Sequence, residues 1–286
     1  MPNTAPTAGP TAGTLLRTWR QRRRLSQLEL SVEAEVSQRH LSFVESGRSA
    51  PSRDMILHLA ERLGIPLRER NVLLVAAGFA PVYQERNLDD PALAAQREAI
   101  DVVLKGHEPF PALAVDRHWT LVAANAAIGP LIAGIDAKLL EPPLNVLRLS
   151  LHPEGIAPRI ANYVEWRAHV IARLTQQVDA SADAKLNELL DELKAYPRPR
   201  GVAVAAPQPK RDFGNVVVPL QLATPDGLLS FFSTTTVFGT PVDITLAEIA
   251  IEAFYPADSS TAEAVRKAAG GATSSASPNK SDRRRR

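Results

Sequence analysis

Between Gly13 and Ala80 the apolar positions recur every three or four residues, and residues that start and stop helices punctuate them. Leu15, Leu16, Trp19 and Leu25 form the apolar side of a basic segment. Ser26 and Glu29 have capping-box spacing, and they open a second helix with Leu28, Val32 and Leu30 expected inside. Ser37 caps a third helix that closes at Gly47, with Leu41 and Val44 inward and Phe43 beside them. Pro51-Ser52 starts a fourth helix on Ile56, Leu57, Leu59, Ala60 and Leu63, and Gly64 stops it. A fifth runs from about Leu67 to Ala77 and ends at Gly78. The pattern predicts an all-α, five-helix domain over residues 13–80, behind a tail at 1–12 that is rich in Pro, Ala and Thr.

After a linker at 81–90 the pattern changes. A helix is predicted from Pro91 to Leu104, with Leu93, Ile100, Val103 and Leu104 inward. Pro111 to Ala127 fits two short strands with a tight turn, Asn125 serving as a helix cap. Helical periodicity returns over Ile160–Val178 and Ala182–Ala195. The period then drops to two over Asn215–Ala223 and Leu228–Phe238, around the turn Thr224-Pro225-Asp226-Gly227. Asp243 to Ile251 partly alternates and is read as a last strand. Strands, then helices, then antiparallel strands describe an α+β domain over 91–258, a PAS-like layout of sheet and helices. Residues 259–286, ending in Arg283-Arg284-Arg285-Arg286, read as a disordered basic tail.

Charge sharpens the division. The net charge of the 286-residue chain is +2. Residues 1–70 carry eleven Arg against seven acidic residues, and residues 259–286 carry seven basic against two acidic. The middle carries fifteen basic against twenty-two acidic. A nucleic acid is attracted to the ends and repelled by the middle. There is no cysteine, hence no disulfide framework or thiolate zinc site. No apolar run reaches the roughly 18 residues of a membrane span. The N-terminus lacks the layout of a signal peptide, and the cytoplasm is the expected compartment.

In the first domain Arg20, Arg23, Leu25, Ser26, Gln27 and Leu30 are followed by Val36, Ser37, Leu41, Ser42, Glu45, Ser46, Gly47, Arg48, Pro51 and Ser52. This string resembles the phage-repressor-like, or XRE-type, helix-turn-helix domain. Glu35 departs from it, standing where the family commonly has glycine in the turn. The resemblance implies double-stranded DNA as partner. It implies Gln27 at phosphate and Gln38, Arg39, His40 and Ser42, with the cap Ser37, on or beside the base-facing side. Gln and Arg suit bidentate contacts with adenine and guanine edges. Arg48 is expected on the DNA backbone, and Arg20 and Arg23 either contact phosphate or pack. A short recognition helix reads few base pairs, so a homodimer on a near-palindromic site is expected.

In the second domain the matching pieces are Pro111-Ala112, Val115 to Trp119, Ala123 to Ala127, Phe238 to Asp243 and Phe254 to Asp258. In that order they resemble the ligand-binding domain of MmyB-like transcription regulators. The resemblance implies a pocket between sheet and helices for a small apolar, fatty-acid-like ligand. Candidate lining residues are Trp119, Asn125, Tyr163, Trp166, Phe231 and Phe238, with His169 placed to orient a carboxylate headgroup. Most of these residue types also serve as plain core.

The six histidines show no metal spacing, and no nucleophile-elbow, P-loop or dinucleotide motif occurs. No enzyme, metal or cofactor is therefore expected. Two readings compete, with an enzyme bearing an unrecognised site as a remote third: a ligand-responsive transcription regulator, and a DNA-binding protein whose second domain serves only dimerisation or protein interaction. A wide apolar cavity favours the first, and a filled core the second.

Overall fold

The computed structural model describes residues 10–200, 218–238 and 243–274. The chain divides into two units. The first holds residues 1–87 with 179–181 and 240–247, and the second holds 88–178, 182–239 and 248–286.

In the first unit the helices are α1 (Ala12–Arg22), α2 (Gln27–Glu33), α3 (Gln38–Glu45), α4 (Arg53–Arg62) and α5 (Leu67–Ala76). Local chemistry sets their starts. Ser26 Oγ accepts from Glu29 N at 3.1 Å while Glu29 Oε2 accepts from Ser26 N at 2.6 Å, which is the expected capping box. Ser37 and Ser52 cap α3 and α4 through the amides of His40 and Met55. Glu35 takes φ 52°, a left-handed conformation that a side chain tolerates only with some strain. The core is Leu16, Trp19, Leu30, Leu41, Val44, Ile56, Leu59, Leu63, Leu73 and Leu74. Gly13 lies where α1 crosses α3: a Cβ there would stand 2.1 Å from the Val44 carbonyl oxygen.

The expected inner face of α2 is corrected. Leu28 is 56% and Val32 70% exposed; Leu30 is buried as expected, and Ser31 and Ala34 are buried with it. Leu28/Val32 and Leu30/Ala34 are two apolar pairs at helical spacing on opposing faces, so periodicity had no means of choosing between them.

A charged group sits inside this unit. Arg20 Nε and Nη2 donate to Glu45 Oε1 and Oε2 at 2.7 and 2.8 Å, and Gln27 Nε2 donates to Oε2 at 2.8 Å. Arg20 Nη1 also donates to the Leu25 carbonyl at 2.7 Å. Both side chains of the ion pair are more than nine-tenths buried. Burial pushes the Glu45 carboxyl up, but the bonds from Arg20 and Gln27 outweigh it and hold the group below the usual carboxylate range.

The second unit begins with a 3-10 turn, Pro91–Leu93, and α6 (Ala94–Gly106). Strands β1 (Ala112–Val115) and β2 (Leu121–Ala124) follow, then α7 (Gly129–Ile132), α8 (Val146–Leu151), α9 (Tyr163–Ser181) and α10 (Ala184–Ala195). Next come β3 (Leu220–Thr224) and β4 (Gly227–Val237). After α11 (Ile244–Ala247), whose residues belong to the first unit, β5 (Ala250–Pro256) completes the sheet and α12 (Ser259–Ser274) follows. The five strands are antiparallel in the order β2-β1-β5-β4-β3, the expected PAS-like α+β arrangement. The predicted hairpin is present: Thr224 pairs with Gly227, whose φ of 129° suits glycine alone. A core of Leu113, Val115, Leu151, Ile160, Val170, Leu174, Leu189, Leu193 and Leu222 packs between sheet and helices.

Four expectations change. Residues 244–247 are a helix, not a strand, because the Asp243 carboxylate accepts from Thr245 N at 2.9 Å and turns the chain before β5 begins. Val103 on α6 is 43% exposed. Residues 259–274 are helical rather than part of a tail. Asp258 Oδ1 accepts from Thr261 N at 2.7 Å, alanine favours the helix, and buried Thr261 accepts from Ser230 N of β4 at 2.9 Å. Residues 84–86 are not a free linker: Gln84 accepts from Ile244 N at 2.9 Å within the first unit. The tails at 1–9 and 275–286, and 215–217 of the expected strand, lie outside the described residues.

Arg20→Ala strands the Glu45 carboxylate, and the expected loss is about 3–5 kcal/mol of stability, read by guanidinium denaturation. Arg20→Ala/Glu45→Gln strands no charge and loses less. Because the folded state holds the Glu45 pKa low, the pair's contribution is present above the unfolded carboxyl value and disappears as pH falls through the folded one.

Candidate functional site

Two sites take shape, one in each unit. On the first, α3 exposes Gln38 and Arg39 at its start, with Arg48 exposed just past its end. Arg39 and Arg48 carry their guanidinium carbons 5.4 and 6.0 Å from the ring of half-buried Phe43. The amides of Arg48 and Ser49 both donate to the Phe43 carbonyl, at 2.8 and 3.1 Å. Gly47, at φ 73°, makes that tight exit possible. One ring thus steadies two cations on one face. His40 and Ser42 are half-buried, and the Ser37 hydroxyl is occupied as the cap.

Three of the sequence candidates are turned inward. Arg20 is bound in the Glu45 pair and Gln27 donates to the same carboxylate. Arg23 Nε and Nη2 donate to the carbonyls of Leu63 and Gly64 at 2.8 and 3.1 Å, closing the end of α4. For both arginines the packing role is the one observed.

The second site is a cavity of about 120 Å³ inside the second unit. Its walls come from the sheet, from α7 and α8, and from one side of α9. They are almost wholly apolar, with Leu113, Leu121, Ile132, Leu147, Leu222 and Phe254 among them. Of the sequence candidates, Trp119, Trp166, His169 and Phe231 line it. The others do not. Tyr163 is buried core outside the lining, and Phe238 is half-buried at the end of β4. Asn125 lies outside the wall; it stands at the N-cap of the 3-10 turn Ala126–Ile128, as expected, but its side chain makes no cap bond. Its Oδ1 accepts from Ala112 N at 3.0 Å, and its Nδ2 donates to the carbonyls of Leu104 and Phe110 at 3.1 and 2.8 Å, which ties α6 to β1.

Trp119 owes its position to a turn. Asp116 Oδ1 accepts from the amides of His118 and Thr120, both at 2.8 Å, and Trp119 is forced to φ 66°. That conformation is unusual for a bulky residue and persists only where the surroundings dictate it. Asn145 Nδ2 holds the His118 carbonyl at 2.8 Å, and Val146 N holds that of Trp119 at 3.0 Å. Trp119 Nε1 donates to Gln177 Oε1 at 2.8 Å.

One end of the cavity is polar. Arg173 Nη1 and Nη2 donate to the Glu252 carboxylate, at 3.2 and 2.5 Å. Nη2 also reaches Thr235 Oγ1 at 2.6 Å. The guanidinium lies 4.6 Å from the Trp119 ring centroid. Ser150 Oγ accepts from Trp166 Nε1 at 2.9 Å. Burial, and then the neighbouring Arg173, hold the His169 pKa below the ordinary histidine value.

A model of the helix-turn-helix family matches residues 16–70. A model described as the MmyB-like transcription regulator ligand binding domain matches residues 96–268. The chain belongs to that family. It is a DNA-binding transcription regulator with a ligand-binding domain. No curated protein matches the regulator. Among solved structures, an RNA-binding Light-Oxygen-Voltage receptor is similar at 13% identity and a TM-score of 0.26. The match covers 92% of the regulator but only 63% of that chain, less than two thirds of it. Nothing about fold or function follows from so low a similarity. No described helix is long and apolar enough to cross a membrane, and the described residues hold no cluster suited to a metal ion.

Sequence reading passed over Arg173 and Glu252. Arg173 lies on the same stripe of α9 as Trp166 and Val170, at steps of four and three residues, so helical spacing alone points to it. Glu252 had no such signal. It stands in a buried strand, and only the packing of α9 over the sheet gives it a partner.

Because burial lowers the His169 pKa, the unfolded chain takes up a proton below about pH 6.5 that the folded domain resists. Stability of the ligand-binding domain should fall as pH drops through that value. His169→Gln should flatten that part of the profile in denaturation measured from pH 5 to 8.

Proposed function

We propose that the regulator binds a near-palindromic DNA site as a homodimer through α3 and switches its affinity when a small apolar molecule enters the cavity. The apolar cavity in the second unit carries this reading. A domain serving only dimerisation has no need of a void lined by two tryptophans, since empty apolar volume costs stability. The fatty-acid-like character inferred from family resemblance is retained for the hydrocarbon part of the ligand.

On the DNA side we assign base reading to Gln38 and Arg39, with His40 and Ser42 beside them, and backbone contact to Arg48. Their support is exposure on one helix face together with the shape of Gln and Arg donors. Gln27 and Arg20 act indirectly, by holding α3 in place, and Arg23 by closing the end of α4. We assign residues 13–80 to DNA binding and extend the ligand-binding domain from 91 through α12, with the cytoplasm as working compartment. Both matched families are regulatory, which supports a role without catalysis.

Selection of bound sequences from a random DNA pool, with and without a long-chain amphiphile, tests the proposal. A two-fold symmetric motif whose enrichment changes with the amphiphile is expected, and a motif indifferent to every apolar compound tried would overturn the sensing role. Arg39→Ala should cost about 1–3 kcal/mol and relax one position of the motif, whereas Arg48→Ala should weaken all sequences alike and lower the salt slope by about one.

A further inference from the structure

We propose that the cavity selects an amphiphile whose polar group is uncharged, such as an alcohol, ester or ketone, over one bearing a carboxylate. The inference rests on the reading of the cavity as a ligand site and names the class of headgroup that site accepts.

Its ground is the charge balance of the polar end. The charged groups on the wall are Arg173 and Glu252, and they already neutralise one another. Glu252 is 4% exposed and takes both Arg173 and Thr235, whose hydroxyl donates to Oε1 at 2.7 Å. The guanidinium is further committed to Thr235 Oγ1 and stacks over Trp119. A ligand carboxylate would set two anions beside one cation where the remaining walls offer no second positive charge. If it displaced Glu252 it would strand that carboxylate inside the sheet. Either way one buried charge lacks a partner, a severe cost. His169 supplies no second cation near neutral pH, because burial and Arg173 keep its ring neutral.

The remaining polar wall suits an uncharged group. The Ser150 hydroxyl accepts from Trp166 Nε1 and keeps its own proton to donate. Ser233 and the His169 ring also face the cavity. A carbonyl or hydroxyl oxygen can be bonded here without disturbing the ion pair.

The experiment compares 1-decanol, methyl decanoate and decanoate, of matched chain length, binding to the full chain at pH 7.5 by calorimetry and native mass spectrometry. The alcohol or the ester should bind at least about tenfold more tightly than decanoate. Glu252→Gln leaves Arg173 its full positive charge, and the preference should narrow or reverse. Decanoate binding as tightly as the neutral pair, or a folded Glu252→Gln with unchanged preference, overturns the inference and leaves the cavity a ligand site. Binding of none of the three overturns the ligand-site reading and the inference together. Should Glu252→Gln fail to fold, the wild-type comparison decides alone.

Discussion

The carboxylate of Glu45 is the point on which the DNA-binding unit turns. It ends α3, yet it is bonded by Arg20 from α1 and Gln27 from α2. A buried charge is tolerated only when its lone pairs are met, and here three elements must be in register to meet them. The pair therefore specifies where α3 lies more than it adds net stability. Gly13 completes the constraint by letting α1 approach the backbone of α3. The exposed start of α3, with Arg39 and Arg48 braced on Phe43, is presented on this frame.

The ligand-binding unit solves a related problem differently. Its charged pair, Arg173 and Glu252, joins α9 to the sheet, and it lies at the edge of an apolar void rather than inside a filled core. Trp119 closes the same end, held at an unfavourable φ by the Asp116 turn and by Asn145. Strain of this kind survives where neighbouring bonds over-determine it. Trp119, the Arg173 guanidinium and the Glu252 carboxylate meet at this end of the cavity.

Much of this was legible in the chain. The left-handed Glu35 follows from its place where the resembling family has glycine; the five helices of the first unit and the Ser26–Glu29 capping box follow from local spacing. So do the hairpin at Pro225-Asp226 and the helices α9 and α10. The errors have a common form. Leu28 and Val32 point outward because α2 offers two apolar faces, and only its neighbours select one. Residues 244–247 and 259–274 are helical because Asp243 and Asp258 cap them, a signal that partial alternation and a tail-like composition masked. The resemblance put Gln27 at phosphate and left Arg20 between contact and packing, and only the fold shows both bonded to Glu45.

What the sequence by itself determined is therefore whatever acts over a few residues: element types, caps, turns, the charge division between the units, and the motif strings that carry family membership. Such features depend on bonds between near neighbours, and spacing reports them faithfully. Only the tertiary structure decided which polar groups remain available and which are consumed. Arg20 meets Glu45 twenty-five residues away, and Arg173 meets Glu252 across seventy-nine. A charge's function depends on its partner, and partners so distant in the chain are brought together only by the fold.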